Sequence, residues 1–138
     1  MNINYEEIIK SANDELITKG NLNIVSKIFS SEYIVHAGGK NHTGHKFIKK
    51  WAQQLRLALP DIQVVKIDIL NKTQNFITWQ RTLKGTHKAK IMGISPTEQK
   101  IEWREMIVSR FYDNKISEEW AISELAGYLL SKSPKEIE

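Results

Sequence analysis

FIKKWAQQLRLALPDIQVVKIDIL, residues 47–70, contains the change of period on which the fold turns. Up to Ala58 the apolar residues Phe47, Ile48, Trp51, Leu55 and Ala58 recur every three or four positions, while Lys46, Lys49, Lys50 and Gln53 take the other face. That is a helix with one buried stripe. Pro60 ends it, because the residue before a proline is disfavoured in the α region. From Ile62 to Leu70 the spacing drops to two and β-branched residues dominate, the pattern of a strand.

Upstream, Thr43-Gly44 opens this helix, and two more precede it. Ile3 to Lys19 places Tyr5, Ile8, Ile9, Ala12 and Leu16 on one face, and Gly20 supplies a left-handed stop. Asn21 caps a shorter helix carrying Leu22, Val25, Ile28 and Phe29. Downstream, the period of two persists. Strands are predicted at Phe76–Lys84, near Lys88–Ile94, at Ile101–Tyr112 and at Ile116–Ile122, with a tight hairpin at Asp113-Asn114-Lys115. A closing helix carries Leu125, Leu129 and Leu130, and the polar tail from Ser133 is expected to fray. Helices first and antiparallel strands afterwards make an α+β protein, with residues 1–138 as one domain. A curved, mostly antiparallel sheet under three N-terminal helices would form a cone with a pocket at its open end. Its outer face would stay bare, with Trp79 or Trp103 on it, which predicts a homodimer through that face.

The 138 residues are 41% hydrophobic and 26% charged, an ordinary globular composition. With no cysteine, disulfides and thiolate metal sites are excluded. MNINYEEIIK carries two acidic residues and no long apolar run, so it does not read as a signal peptide, and no stretch is apolar enough for a membrane helix. A cytoplasmic protein is expected. The net charge of +4 is a mild excess without any nucleic-acid motif, so no nucleic-acid partner is expected. His42 and His45 have a spacing that two metal ligands can use, but no third ligand accompanies them, and no metal site is expected.

Four segments carry groups suited to chemistry. Tyr33-Ile-Val-His36 lies in an extended stretch, Pro60-Asp61 at the helix-to-strand junction, Gly85-Thr86-His87 at a strand end, and Glu118-Glu119-Trp120 through Glu124 at the last strand. In this order and at these separations they resemble the SnoaL-like polyketide cyclase family, within the ketosteroid-isomerase-like superfamily. Gly44, Pro96-Thr97, Arg110 and Asn114-Lys115-Ile116 extend the likeness over about residues 14 to 130. The resemblance implies a cofactor-independent enzyme closing a ring by an intramolecular aldol step, or an isomerase-like relative, acting on a small carbonyl compound. It also implies an acid/base carboxylate at Glu124, where the family has an aspartate one methylene shorter. His36 and His87 join Glu124 as expected catalytic residues, with Tyr33, Trp79, Arg81, Trp103 and Trp120 as the expected substrate-binding wall. A carboxylate in an apolar pocket has its charged form disfavoured and so becomes a competent base near neutral pH. The competing reading is a non-catalytic ligand-binding or dimerising module on the same scaffold.

Overall fold

The structure is a computed structural model and describes residues 4–131. Asn4 opens α1 (Tyr5–Ala12) by accepting from the backbone N–H of Glu6 at 3.0 Å, and Glu6 and Glu7 sit where the helix dipole favours acids. The helix then widens into a π-helical stretch, Asn13–Thr18, and stops at Gly20, whose φ is +70°. The second predicted helix is a 3₁₀ turn, Leu22–Ile24, running into the four-residue α2 (Val25–Ile28). A hairpin follows, β1 (Phe29–Ala37) and β2 (Lys40–Thr43), turned by Gly38 and Gly39, both at positive φ. Helix α3 (Gly44–Ala58) buries Ile48, Ala52, Leu55 and Ala58, close to the predicted stripe.

Four strands complete the sheet: β3 (Gln63–Lys72), β4 (Phe76–Thr86), β5 (Lys100–Tyr112) and β6 (Lys115–Ser123), followed by α4 (Leu125–Leu130). Their order is β2-β1-β6-β5-β4-β3, antiparallel throughout except for the parallel pair β1–β6. Register shifts in β1–β6, β3–β4 and β5–β6 act as bulges, which bend and twist a sheet. Helices α1 and α3 lie across its concave side, where Ile9, Leu16, Ile48 and Ala52 pack with Ile77, Trp79, Ile107 and Phe111.

The predicted strand near Lys88–Ile94 is instead a loop spanning 87–99. Met92 and Gly93 both take positive φ to turn it, leaving only an isolated Ile91–Ile94 bridge. Its root is tied down by bonds from Lys88 N–H to the Ala58 carbonyl (2.7 Å) and from His87 N–H to that of Gln99 (3.0 Å). Two motifs flagged in the sequence meet at this root. Asp61 accepts from both the backbone N–H and the hydroxyl of Thr86, each at 2.7 Å. A Cβ on Gly85 would stand 3.1 Å from Leu59 and 3.3 Å from the Asp61 carboxylate, so the glycine permits this close approach.

Candidate functional site

The concave side is a lattice of inward side chains fixed by register. Strand β6 contributes Glu119, Ala121 and Ser123, and β5 sets Ser109, Ile107 and Glu105 opposite them. One strand further, β4 sets Ile77, Trp79 and Arg81 against the same three. On the other side of β6, β1 places Val35 beside Glu119 and Ala37 beside Ala121. Two polar clusters therefore lie at either end of a small apolar floor.

The first cluster centres on Glu119, which is 9% exposed. Its carboxylate accepts from the Tyr33 hydroxyl at 2.6 Å and from the Ser109 hydroxyl, which in turn accepts from the Trp79 indole N–H at 2.9 Å. No cation touches the carboxylate among the described residues. Burial pushes its pKa up, outweighing the two hydroxyl bonds and the more distant charge of Arg81. Burial, then the facing Glu119 charge, also holds the Tyr33 phenol well above its usual range.

The second cluster is an ion pair. Arg81 Nε donates to Glu105 Oε1 at 2.9 Å, Nη2 lies 2.7 Å from the same oxygen, and Nη1 donates to Asn13 Oδ1 at 2.9 Å. Indoles flank the guanidinium, with Trp51 at 5.5 Å and Trp79 at 5.3 Å. The other Glu105 oxygen accepts from the Trp103 indole (3.0 Å) and from Ser123 (2.6 Å). Burial works to raise the Glu105 pKa, but the Arg81 charge and these bonds together bring it below the usual value. The π-helical stretch accounts for Asn13. Its amide donates back to Ile9 at 2.8 Å, which turns the carbonyl oxygen toward Arg81. Ala37, Ala121, Phe47 and Trp51 stay only partly buried and Ser123 is exposed, which marks where the interior meets solvent.

The sequence model of the SnoaL-like polyketide cyclase family matches residues 7–130, nearly the whole described fold. The chain belongs to the SnoaL-like polyketide cyclase family. Similar solved structures include a candidate polyketide cyclase of Acidithiobacillus ferrooxidans, 24% identical, with 92% of this chain and 94% of that one aligned at a TM-score of 0.75. A SnoaL-like polyketide cyclase of Agrobacterium tumefaciens is 14% identical, covering 92% and 96% at a TM-score of 0.75. AclR of Streptomyces galilaeus, a candidate hydroxylase, is 20% identical over 90% and 93% at 0.71. Among curated proteins none matches.

Against this SnoaL-like frame the expected site residues divide. Tyr33, Trp79 and Trp103 are buried and Arg81 is nearly so on the concave side, and all four are joined in the two clusters. Trp79 and Trp103 are thus not on the bare outer face. Trp120 is there instead, 38% exposed and stacked on His36 with centroids 5.1 Å apart. His36 faces Glu118 Oε2 and Asn41 Oδ1, both at 2.6 Å, and these bonds raise its pKa. Glu124 is at the surface, its side chain 41% exposed, accepting from Arg104 N–H at 3.0 Å and pairing with the Arg104 side chain. Those bonds hold its pKa below the usual value, the opposite of the rise expected for a buried base. Glu124, His36 and His87 do not converge. His87 is fully buried, but its Nδ1 accepts from Thr97 N–H at 3.1 Å and anchors the 87–99 loop.

One residue explains why Trp120 and Glu124 lie outside. Ile116 pairs with Phe111 but Glu118 with Arg110, so Ser117 is an extra residue in β6. Counting by twos from buried Ile116 puts Glu118, Trp120 and Glu124 inside. The bulge reverses the phase and puts Glu119, Ala121 and Ser123 there. Glu119 was therefore missed as a site residue; Glu105, Ser109 and Asn13, which lie outside β6, were missed as well. An acidic residue at either phase of β6 was the one available signal. Among the described residues no helix is long and apolar enough to cross a membrane, and no three His, Asp or Glu side chains gather as metal ligands would.

Proposed function

We propose that the chain is an acid/base enzyme of the polyketide-cyclase type, with Glu119 in place of Glu124 as its base. The observation that carries this reading is a buried carboxyl bonded only to neutral hydroxyls, with its pKa raised. Family membership supports it. Such a carboxylate takes a proton from carbon next to a carbonyl, and the C–H electron pair moves into an enolate. The enolate carbon attacks a second carbonyl of the same molecule, and the new alkoxide receives the proton from Glu119. Atoms balance without a redox partner. Tyr33 and Ser109 orient the carboxylate, while Trp51, Phe47, Ala37 and Ala121 suit a flat substrate entering from the partly exposed edge.

A test needs no native substrate. Deuterium uptake from heavy water into a simple β-diketone reads carbon-proton abstraction directly. The parent should accelerate it, Glu119→Gln should lose about 10²- to 10⁴-fold, and Glu124→Gln should match the parent. Uptake by Glu119→Gln at the parent rate overturns the assignment. A parent that binds the diketone without accelerating exchange would establish the non-catalytic binding module instead.

The outer face supports a homodimer. Phe76, Met106, Trp120 and Ile122 are exposed there, with Phe76 and Trp120 rings 6.3 Å apart. Val108 pairs with Trp120 and Met106 with Ile122, so the patch is contiguous.

A further inference from the structure

We infer that Arg81 is the electrophilic partner of Glu119, the group that takes up the negative charge developing on substrate oxygen. The inference rests on the reading of the interior as a carbon-acid site. Arginine carries five N–H donors in one plane. Arg81 commits Nε–H to Glu105 and one N–H of Nη1 to Asn13, while Nη2 stands 2.7 Å from the Glu105 oxygen that Nε–H binds. One N–H on each terminal nitrogen is left without a partner among the described residues. The guanidinium lies over the rings of Trp51 and Trp79, 5.5 and 5.3 Å from their centroids, so the unpartnered N–H groups stand among apolar ring surface. The side chain is 11% exposed and so is reachable from the open edge. Register puts Arg81 and Glu119 on the same concave face, with Trp79 bonded to Ser109 and Ser109 bonded to Glu119 between them.

Two acceptor oxygens and two indoles hold the group still, so little reorganisation accompanies charge development. The substrate class follows. Arg81 stands against Glu105 and Glu119 against Ser109, so acceptor and base are separated along and across the sheet. A carbon acid spanning that separation delocalises its charge away from the deprotonated carbon, as an α,β-unsaturated ketone deprotonated at the far end of its conjugated system does. When the C–H bond breaks, its electron pair becomes a C=C bond and the conjugated carbonyl π pair goes to oxygen beside Arg81.

The probe is 4-nitrophenol, whose neutral and ionised forms absorb differently. Bound to the parent it should ionise more readily than in water, with about ten-fold preference for the phenolate. Arg81→Met alone strands Glu105, so the variant compared is Arg81→Met with Glu105→Gln, which should lose the preference. Glu105→Gln alone keeps the guanidinium and should retain it. Glu119→Gln removes a neighbouring carboxylate and so should hold the preference at or above the parent's while losing diketone exchange, which separates failure of this inference from failure of the base assignment. Equal ionisation on the parent and the double variant, or no binding of either form by the parent, overturns it.

Discussion

At the scale of single residues, Glu119 and Glu124 make opposite demands on pH. Glu119 has its pKa raised above the ordinary 4.5, so over the window from there up to its raised value the folded state binds more protons than the unfolded. Stability contributed by this site therefore falls as pH rises through that window. Glu119→Gln lacks the slope, so its melting temperature should gain on the parent from pH 4 toward neutrality. Identical pH slopes in thermal melts of the two proteins would contradict this. Diketone exchange should run the other way in the parent, rising with pH as the carboxylate forms. Glu124 is exposed and paired with an exposed arginine, so Glu124→Gln should change stability by about 1 kcal/mol or less, read by denaturant unfolding. Tyr33, Trp79, Arg81 and Trp103 were legible as a group because each strand's alternation kept them in phase. Trp120 and Glu124 were not, because no residue type announces the Ser117 bulge, and one extra residue inverts everything after it.

At the scale of elements, the clasp at the root of the 87–99 loop makes a prediction of the opposite sign. Bonds from the Thr86 backbone and hydroxyl hold the Asp61 pKa below its ordinary value. Stability from that clasp is present above the unfolded pKa and is lost as pH falls through the folded one. Asp61→Asn should cost about 1 kcal/mol near neutral pH, and the difference from the parent should shrink in acid. A constant difference down to pH 3 would count against the clasp. The same clasp explains why Pro60-Asp61 and Gly85-Thr86 looked chemical in the sequence: their residue types serve a tight junction. Long elements with sustained period were readable, as α3 and β5 were. The short β2 is four residues without alternation, and the π-helical stretch keeps an α-like pattern, so neither had a signal of its own.

At the scale of the whole molecule, the proposed homodimer rests on a bare outer face carrying Trp120 and Ile122. Trp120→Lys should shift sedimentation at tens of micromolar from dimer to monomer while leaving diketone exchange in place, and a monomeric parent would remove the proposal. The strand order has a consequence for biosynthesis. Strand β6 joins the hairpin β2–β1 to the meander β5–β4–β3, and it is the last strand the ribosome delivers. Until residues 115–123 emerge, no strand joins the β2–β1 segment to the β5–β4–β3 segment, and the edges that β1 and β5 present to β6 have no partner. Tyr33 waits 86 residues for Glu119. Closing so long a loop is slow, so refolding should fall in the millisecond-to-second range of non-local β topologies. A chain released before β6 would carry Arg81 and Glu105 but neither Glu119, the proposed base, nor the strand that seals the cone.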